Sequence, residues 1–336
     1  MTVSAARVPR TAESISSQTA PRRFPAADGQ LLGSPAADDI VVVLVTHNRP
    51  ELLAESLAAL QAQCVRPRRV VVVDNASDEQ TQAILAASPV DVVRSEVNLG
   101  GAGGFASGIR RAMELGAQWI WLMDDDAIPE STALEALQSE MARLPATTGA
   151  VCSCVMEFGS IATTHRRRFN PLLGYERAYS CADYGSAALR IDTASFVGFM
   201  VSAAAVRAVG LPDADFFLSY DDTEYSLRLG KHGFGVWLVP SSVIVHKRNR
   251  SGRLRATEFG PKHYFNIRNR MVVKRAYCRA GYVGAAAGAL FGLALWLRSP
   301  RCFAPQPWRM LLGAISDGMA GRLGPLPDRL KPGAAR

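Results

Sequence analysis

The chain has 336 residues, 48% hydrophobic and 20% charged, with 38 Lys and Arg against 30 Asp and Glu. This is a globular composition with enough chain for a sizeable core, in one large domain or two small ones. The net charge of +8 is unevenly placed: residues 1–38 carry 4 basic and 3 acidic side chains, 39–246 carry 16 and 24, and 247–336 carry 18 and 3. An acidic body followed by a strongly basic tail excludes a uniformly basic nucleic-acid binder.

Residues 1–38, rich in Ala, Ser, Pro and Arg, lack the apolar run of a signal peptide and are expected to be a disordered leader. From Ile40 the pattern becomes regular. An apolar run Ile40–Val45 precedes a helix over Pro50–Gln63, in which Leu52, Leu53, Leu57 and Leu60 recur at helical spacing. A strand Val70–Val73, a helix Asp78–Ala87, a strand Val90–Val93, a helix Gly101–Leu115, a strand Trp119–Met123 and a helix Glu130–Leu144 follow. Continuous Val/Ile-rich strands alternating with amphipathic helices predict an α/β fold, a mainly parallel sheet covered on both faces. After Ala150 the alternation is irregular, with strand-like pieces at Ile191–Val201 and Val236–Val239, a helix over Asp222–His232, and a short strand Val243–Val245 ending in His246. The six cysteines include no CxxC pair and read as reduced, small apolar residues, so a zinc site and an oxidising compartment are not expected.

Ala280–Leu297 carries no charge and is flanked by Lys274, Arg275 and Arg279 on one side and Arg298 and Arg301 on the other. Eighteen residues barely span a bilayer; a buried core helix and an interfacial helix are the alternatives, and arginines at both ends favour the interface.

In open α/β sheets ligands bind beyond the carboxyl ends of the strands. Those ends read Thr46-His47-Asn48-Arg49, Asp74-Asn75, Asn98-Leu99-Gly100-Gly101 and Asp124-Asp125-Asp126, four polar endings that describe one lined crevice. Three adjacent carboxylates repel one another unless a divalent cation neutralises them, and alternation in extended chain lets Asp124 and Asp126 point the same way. The competing reading is a helix cap by Asp126 or Ser131. Gly101-Ala102-Gly103-Gly104-Phe105-Ala106 fits a relaxed dinucleotide fingerprint, which keeps an NAD(P)-linked oxidoreductase open; the same glycines also let backbone approach a nucleotide diphosphate. A second acidic cluster, Asp221-Asp222-Thr223-Glu224, follows the aromatic pair Phe216-Phe217 and Tyr220, a setting suited to a general base; Asp221 and Glu224 also fit a capping box. His246 is a candidate metal ligand. Arg268 and Arg270, on a helix interleaved with aromatics, suit a phosphate or anionic lipid, whereas Arg166-Arg167-Arg168 reads as a solvated basic loop.

The succession THNRP, VVVDNAS, NLGGAGGF, WIWLMDDD, FFLSYDDTEYSLR and VIVH resembles the family-2 inverting glycosyltransferases of GT-A fold, over about Val41 to Arg275. NLGGAGGF followed by the triple Asp is most similar to the bacterial galactofuranosyltransferases that act on lipid-linked glycans, with rhamnosyltransferases as near relatives. The resemblance implies a GT-A catalytic domain over 39–250; the basic, partly apolar helical region over 251–336, whose tail lies outside the resemblance, is expected to contact the acceptor or membrane. It implies that Thr46, Arg49, Asp74, Asn98, Gly100, Gly101, Asp124 and Asp125 line the site of a nucleotide-diphospho-sugar donor. It further implies that Asp124, Asp126 and His246 hold Mn²⁺ or Mg²⁺, and that Asp222, or its neighbour Asp221, deprotonates the acceptor hydroxyl. The expected partners are a lipid-linked glycan acceptor and an anionic membrane surface, with no nucleic acid, and the expected location is cytoplasmic, peripheral at the inner face of the membrane. A non-catalytic nucleotide-sugar-binding scaffold is the remaining alternative.

Overall fold

A computed structural model describes residues 31–185, 187–247 and 257–331. Most of the expected leader (1–30) and the expected boundary at 250/251 lie outside them. From Leu31 onward the chain is seated on the domain: Leu32 N donates to Leu144 O, and Gln138 Nε2 donates to Pro35 O at 2.8 Å.

The first half follows the predicted alternation: β1 (Ile40–Thr46), α1 (Pro50–Gln61), β2 (Arg69–Asn75), α2 (Glu79–Ala87), β3 (Asp91–Ser95), α3 (Gly100–Glu114) and β4 (Trp119–Asp124), then a short strand the sequence reading does not include, β5 (Ala127–Pro129), and α4 (Ala133–Met141). The local causes are those expected, with Pro50 opening α1 and the Asp78 carboxylate capping α2 through Thr81 N at 2.9 Å. The second half is richer in strand than the sequence reading allows: β6 (Thr148–Glu157), β7 (Ser160–Ile161), β8 (Arg166–Asn170), β9 (Tyr175–Ala178), β10 (Leu189–Ile191), β11 (Thr193–Ala194) and β12 (Phe199–Ser202). The expected strand over Ile191–Val201 is thus three short strands, in two different sheets. Then come α5 (Ala203–Val209), α6 (Asp221–Lys231), β13 (Gly235–His246), α7 (Pro261–Tyr277), α8 (Gly281–Arg298) and α9 (Pro305–Ala320).

Ten strands form the main sheet, in the order β10-β13-β6-β12-β4-β1-β2-β3 with β5 and β7 attached at the side; β8, β9 and β11 make a second, three-stranded sheet. β1 runs parallel to β2 and β4, β3 parallel to β2, and β12 antiparallel between β4 and β6. Both faces are covered. Val41, Val43 and Val45 join Phe105 and Ile109 of α3, whereas Ile40, Val42 and Leu44 join leucines of α1 and α4, so β1 reads as an unbroken apolar run. The close fit of α3 needs Gly104, where a Cβ would stand 2.6 Å from Val45 Cγ1.

α7 joins the helical C-terminal region to this domain. One side packs Ile267 and Met271 against α8 and α9; the other packs Val272 and Val273 against Ala102, Phe216 and Tyr220. α8 sits on α7 through small residues, since a Cβ at Gly288 would lie 2.9 Å from Met271 and one at Gly292 2.8 Å from Ile267. Its opposite face leaves Tyr282, Val283, Leu290 and Leu297 exposed. Among the described residues α8 alone is long and apolar enough to cross a membrane, and 33% of it is buried in the protein.

Candidate active site

Register builds the crevice. Thr46 lies opposite Asp74 and Val45 opposite Asp124, so the polar ends of β2, β1 and β4 stand side by side. Thr46 Oγ1 donates to Asp125 Oδ2 at 2.8 Å, and Arg49 Nη1 donates to Asp125 Oδ1 at 3.0 Å and Asp126 Oδ2 at 2.9 Å. Asp74 is fully buried, accepting from Ser77 N at 2.9 Å and Arg94 Nε at 3.1 Å. Asn75 ties this strand end to the next one, donating to Asn98 Oδ1 and Gly100 O and accepting from Leu99 N. Gly100, at φ +70, meets the Phe217 carbonyl so closely that a Cβ would stand 2.0 Å from its oxygen, while Gly101 faces open space. Gly100 therefore links α3 to the segment before α6.

The triple aspartate does not cap a helix: α4 starts at Ala133, its N-cap Thr132 makes no side-chain cap, and Asp126 is engaged by Arg49 and His246. β5 pairs antiparallel with the end of β13, bringing His246 Nε2 to 3.1 Å from Asp126 Oδ1. His246 Nδ1 lies 2.9 Å from Glu157 Oε1, and Glu157 also meets His165 Nε2 at 3.0 Å, while His165 Nδ1 bonds Ser195 Oγ at 2.7 Å. Burial, then the charge of Asp126, pushes the Asp124 carboxyl up to about 7. Burial lowers the affinity of His246 for a proton, but Asp126 and Glu157 outweigh it and raise the imidazole to about 9. His165 is driven down to about 4 by burial, so it is neutral at pH 7 and donates Nε2–H to Glu157. The hydrogen bond from His165 holds Glu157 down at about 2.

The donor set of Asp124, Asp126 and His246 suits a hard divalent cation: two carboxylates and an imidazole whose far nitrogen is held by a carboxylate. Glu157, His165 and His246 also bring three ligand atoms within 4.8 Å of one another, with Glu157 shared between the two imidazoles.

The second acidic cluster opens α6, and here the capping-box reading fails. The N-cap is Tyr220, left-handed at φ 70 and without a side-chain cap, and Glu224 is taken up by Arg228 and by Tyr277 OH at 2.7 Å. Asp222 Oδ1 accepts from Thr223 N at 2.6 Å. Burial raises both carboxyls: Asp221 is raised further by Asp222 and Asp124, whereas Asp222 is partly relieved by the Arg167 guanidinium. Ala102 N donates to Phe217 O at 3.2 Å, so the segment leading into Asp221 abuts the first turn of α3, beside the glycine turn of the crevice. Phe217, Ser219 and Tyr220 all have positive φ, at 63°, 69° and 70°. Such backbone costs on the order of 1 kcal/mol or more per non-glycine residue. Hydrogen bonds of about 1 kcal/mol each offset it: Asn269 Nδ2 shares its two N–H donors among the carbonyls of Phe216, Leu218 and Ser219 at 2.9, 2.9 and 2.7 Å, and Arg268 Nη2 donates to that of Phe216 at 2.9 Å.

Two arginine expectations are corrected. Arg268 is 1% exposed and gives its donors to Asn269 and to the carbonyls of Asp215, Phe216 and Gly324; it holds protein backbone and does not face an acceptor phosphate. Arg166 is fully buried in β8, donating to Ser153 O and Val197 O, and Arg167 pairs with Glu176, so neither belongs to a solvated loop; Arg168 alone is exposed. Arg270 lies beside the start of α6, its guanidinium 5.1 Å from the Tyr220 ring, 3.8 Å from the Phe291 ring of α8 and 4.0 Å from Glu176, which also accepts from Tyr220 OH at 2.9 Å. Sequence reasoning missed Glu157, His165, Arg167, Glu176 and Asn269. Glu157 ends β6, so the rule that found Asp124 would have found it had TGAVCSCVME been read as a strand; Asn269 carries no local signal.

A mainly parallel sheet whose strand ends converge on acidic clusters, one of them closed by an imidazole, defines a nucleotide-sugar transferase of GT-A architecture. The sequence profile of Glycosyl transferase family 2 matches residues 41–207. The galactofuranosyltransferase GlfT1 of Mycolicibacterium smegmatis is 33% identical over 293 residues, covering 78% of this chain and 95% of the relative, and GlfT1 of Mycobacterium tuberculosis is 32% identical over 250 residues, covering 69% and 81%. The chain therefore belongs to glycosyltransferase family 2 and is a glycosyltransferase. In fold it is similar to a mannosyltransferase from Pyrobaculum calidifontis, solved with GDP-Man and Mn²⁺, at a TM-score of 0.53, 15% identity and coverage of 88% of this chain and 90% of that one. Staphylococcus aureus TarS 1–349, solved with UDP, gives 0.54 at 14% identity over 87% of this chain and 82% of that one. The dinucleotide reading of the glycines is overturned by this membership.

Proposed function

We propose that the enzyme transfers galactofuranose from UDP-galactofuranose to a lipid-linked or cell-envelope glycan, with inversion at the anomeric carbon. The observation that carries this is the convergence of the β1, β2 and β4 ends on Asp124–Asp126 and His246, with the segment before Asp221 packed against the first turn of α3, in a chain that aligns with nearly the whole length of a galactofuranosyltransferase. Thr46, Arg49, Asp74, Asn98, Gly100, Gly101 and Asp125 line the donor side. Asp124, Asp126 and His246 hold Mn²⁺ or Mg²⁺, which when bound neutralises charge on the departing nucleoside diphosphate. On the acceptor side Asp222 removes the hydroxyl proton, its carboxylate kept ionisable by Arg167; Asp221, closer in effect to Asp124, is the second candidate. A single displacement needs no covalent sugar–enzyme intermediate. Arg270 is the acceptor-side cation.

The enzyme works in the cytoplasm, peripheral at the inner face of the membrane. In support, the exposed apolar residues of α8 and neighbouring Phe303 and Trp308 are bordered by Arg279, Arg298 and Arg301, and basic residues near an anionic surface contribute about 1 kcal/mol each. Release of nucleoside diphosphate from a panel of UDP-galactofuranose and dTDP-rhamnose tests the donor: turnover with the first alone supports the proposal, and turnover with dTDP-rhamnose alone replaces it with rhamnosyl transfer.

A further inference from the structure

The segment that delivers Asp221 and Asp222 is not self-supporting. It follows a short turn at Ala214–Phe216 and then places three non-glycine residues, Phe217, Ser219 and Tyr220, in the left-handed region just before the two carboxylates. Three of its carbonyls turn toward α7, where the fully buried Asn269 amide meets those of Phe216, Leu218 and Ser219. Arg268 Nε donates to Asn269 Oδ1 at 2.7 Å, which fixes the amide with its nitrogen toward the segment. The Phe217 ring stacks on Phe265, one turn earlier in α7, at 4.9 Å. On the crevice side the Phe217 carbonyl accepts from Ala102 N at 3.2 Å, so the same backbone that α7 holds also abuts the first turn of α3.

We propose that Asn269 is a positioning residue for transfer: its amide holds the 216–220 backbone in the left-handed form that aims Asp221 and Asp222 into the crevice. The inference rests on the proposed acceptor-side role of those aspartates. It assigns to the C-terminal helical region a part in catalysis separate from any contact with acceptor or membrane. Asn269 itself touches no reacting atom. Its effect is expected on kcat, because a displacement of the order of 1 Å in a catalytic group costs about 100-fold, while the donor side is built from other strands.

The test compares Asn269→Leu, which keeps the shape and removes both the amide donors and the acceptor for Arg268 Nε, with Tyr264→Phe, which removes the Tyr264 OH to Asp317 bond at 2.7 Å between α7 and α9 without touching the segment. Donor KM, kcat, the affinity for UDP with Mn²⁺ and the melting temperature are measured for both. Asn269→Leu is expected to lose about 100-fold in kcat with UDP affinity within about twofold, and Tyr264→Phe to lose melting temperature with kcat within about twofold. Adding Ser219→Gly to Asn269→Leu is expected to restore part of the kcat, since glycine adopts positive φ without strain. An Asn269→Leu enzyme with kcat within twofold of the parent overturns the proposal, as does a kcat loss matched by Tyr264→Phe at equal loss of melting temperature. Should Asn269→Leu be insoluble, Asn269→Ser is read by the same criteria. Asp222→Asn and Asp221→Asn separate the two levels: activity retained in both removes the acceptor-side reading, whereas loss in either together with an active Asn269→Leu removes this inference alone.

Discussion

His246 Nε2 stands 3.1 Å from Asp126 Oδ1, and the backbone builds that contact: β5 and β13 pair antiparallel with His246 opposite Ala127, the residue after Asp126. Two motifs 120 positions apart in the chain are thereby made one site by a three-residue strand.

Since Glu157 holds the other nitrogen of His246, Glu157→Gln is expected to weaken Mn²⁺ binding by about 10–100-fold. Titration of the enzyme–UDP complex with Mn²⁺, followed by loss of the free-ion electron paramagnetic resonance signal, reads the affinity directly. An unchanged affinity would remove Glu157 from the orientation of His246.

Asp222→Asn is expected to reduce transfer by about 10²–10⁴-fold with UDP binding retained. Product release and calorimetry with UDP together check this, and full activity in the variant would transfer the role to Asp221.

The pH dependence of kcat follows from the surroundings of Asp222. Burial raises its pKa and Arg167 lowers it, leaving it above the usual 3.8. A base must be ionised, so kcat falls as pH drops through this raised value. Arg167→Gln removes the relieving charge and is expected to move the acid limb to higher pH; a limb that stays put or moves to lower pH contradicts the placement of Arg167 beside the base.

Asp317 offers a stability counterpart away from the crevice. Burial raises its pKa, but hydrogen bonds from Tyr264 and Arg322 and the charge of Arg329 outweigh it, so it ends below 3.8. Its contribution is therefore present above the unfolded value and is lost as pH falls through the folded one. Asp317→Asn is expected to cost about 2 kcal/mol at pH 7, with the difference from the parent shrinking below about pH 4. Denaturant unfolding at pH 7 and pH 3 measures both.

Gly104→Ala is expected to destabilise the sheet–helix contact by about 1–3 kcal/mol, because its Cβ would meet Val45 at 2.6 Å. Val45→Ala in the same chain relieves the clash, and a double-mutant cycle measures the coupling.

The eight elements β1, α1, β2, α2, β3, α3, β4 and α4 were legible from local signals, above all the continuous apolar run of β1, whose two faces are both buried. β6 was not, because Cys152, Ser153 and Cys154 interrupt the Val/Ile pattern although all three are buried. Asp124, Asp126 and His246 were legible as strand endings. Arg166 was misread because a run of arginines looks solvated; its burial is tolerated because carbonyls of Ser153, Val197, His165 and Ser195 accept its hydrogen bonds. Asn269 was invisible for a similar reason: its partners lie elsewhere in the chain.

Those partners are 50 or more positions away. Contacts of such separation form only after long loops close, so the conformation that precedes Asp221 is expected to form later in folding than the local β1–α1–β2 crossovers. Residues 213–222 are accordingly not portable: transplanted into another family member without a matching amide donor, they carry the two carboxylates but not their direction.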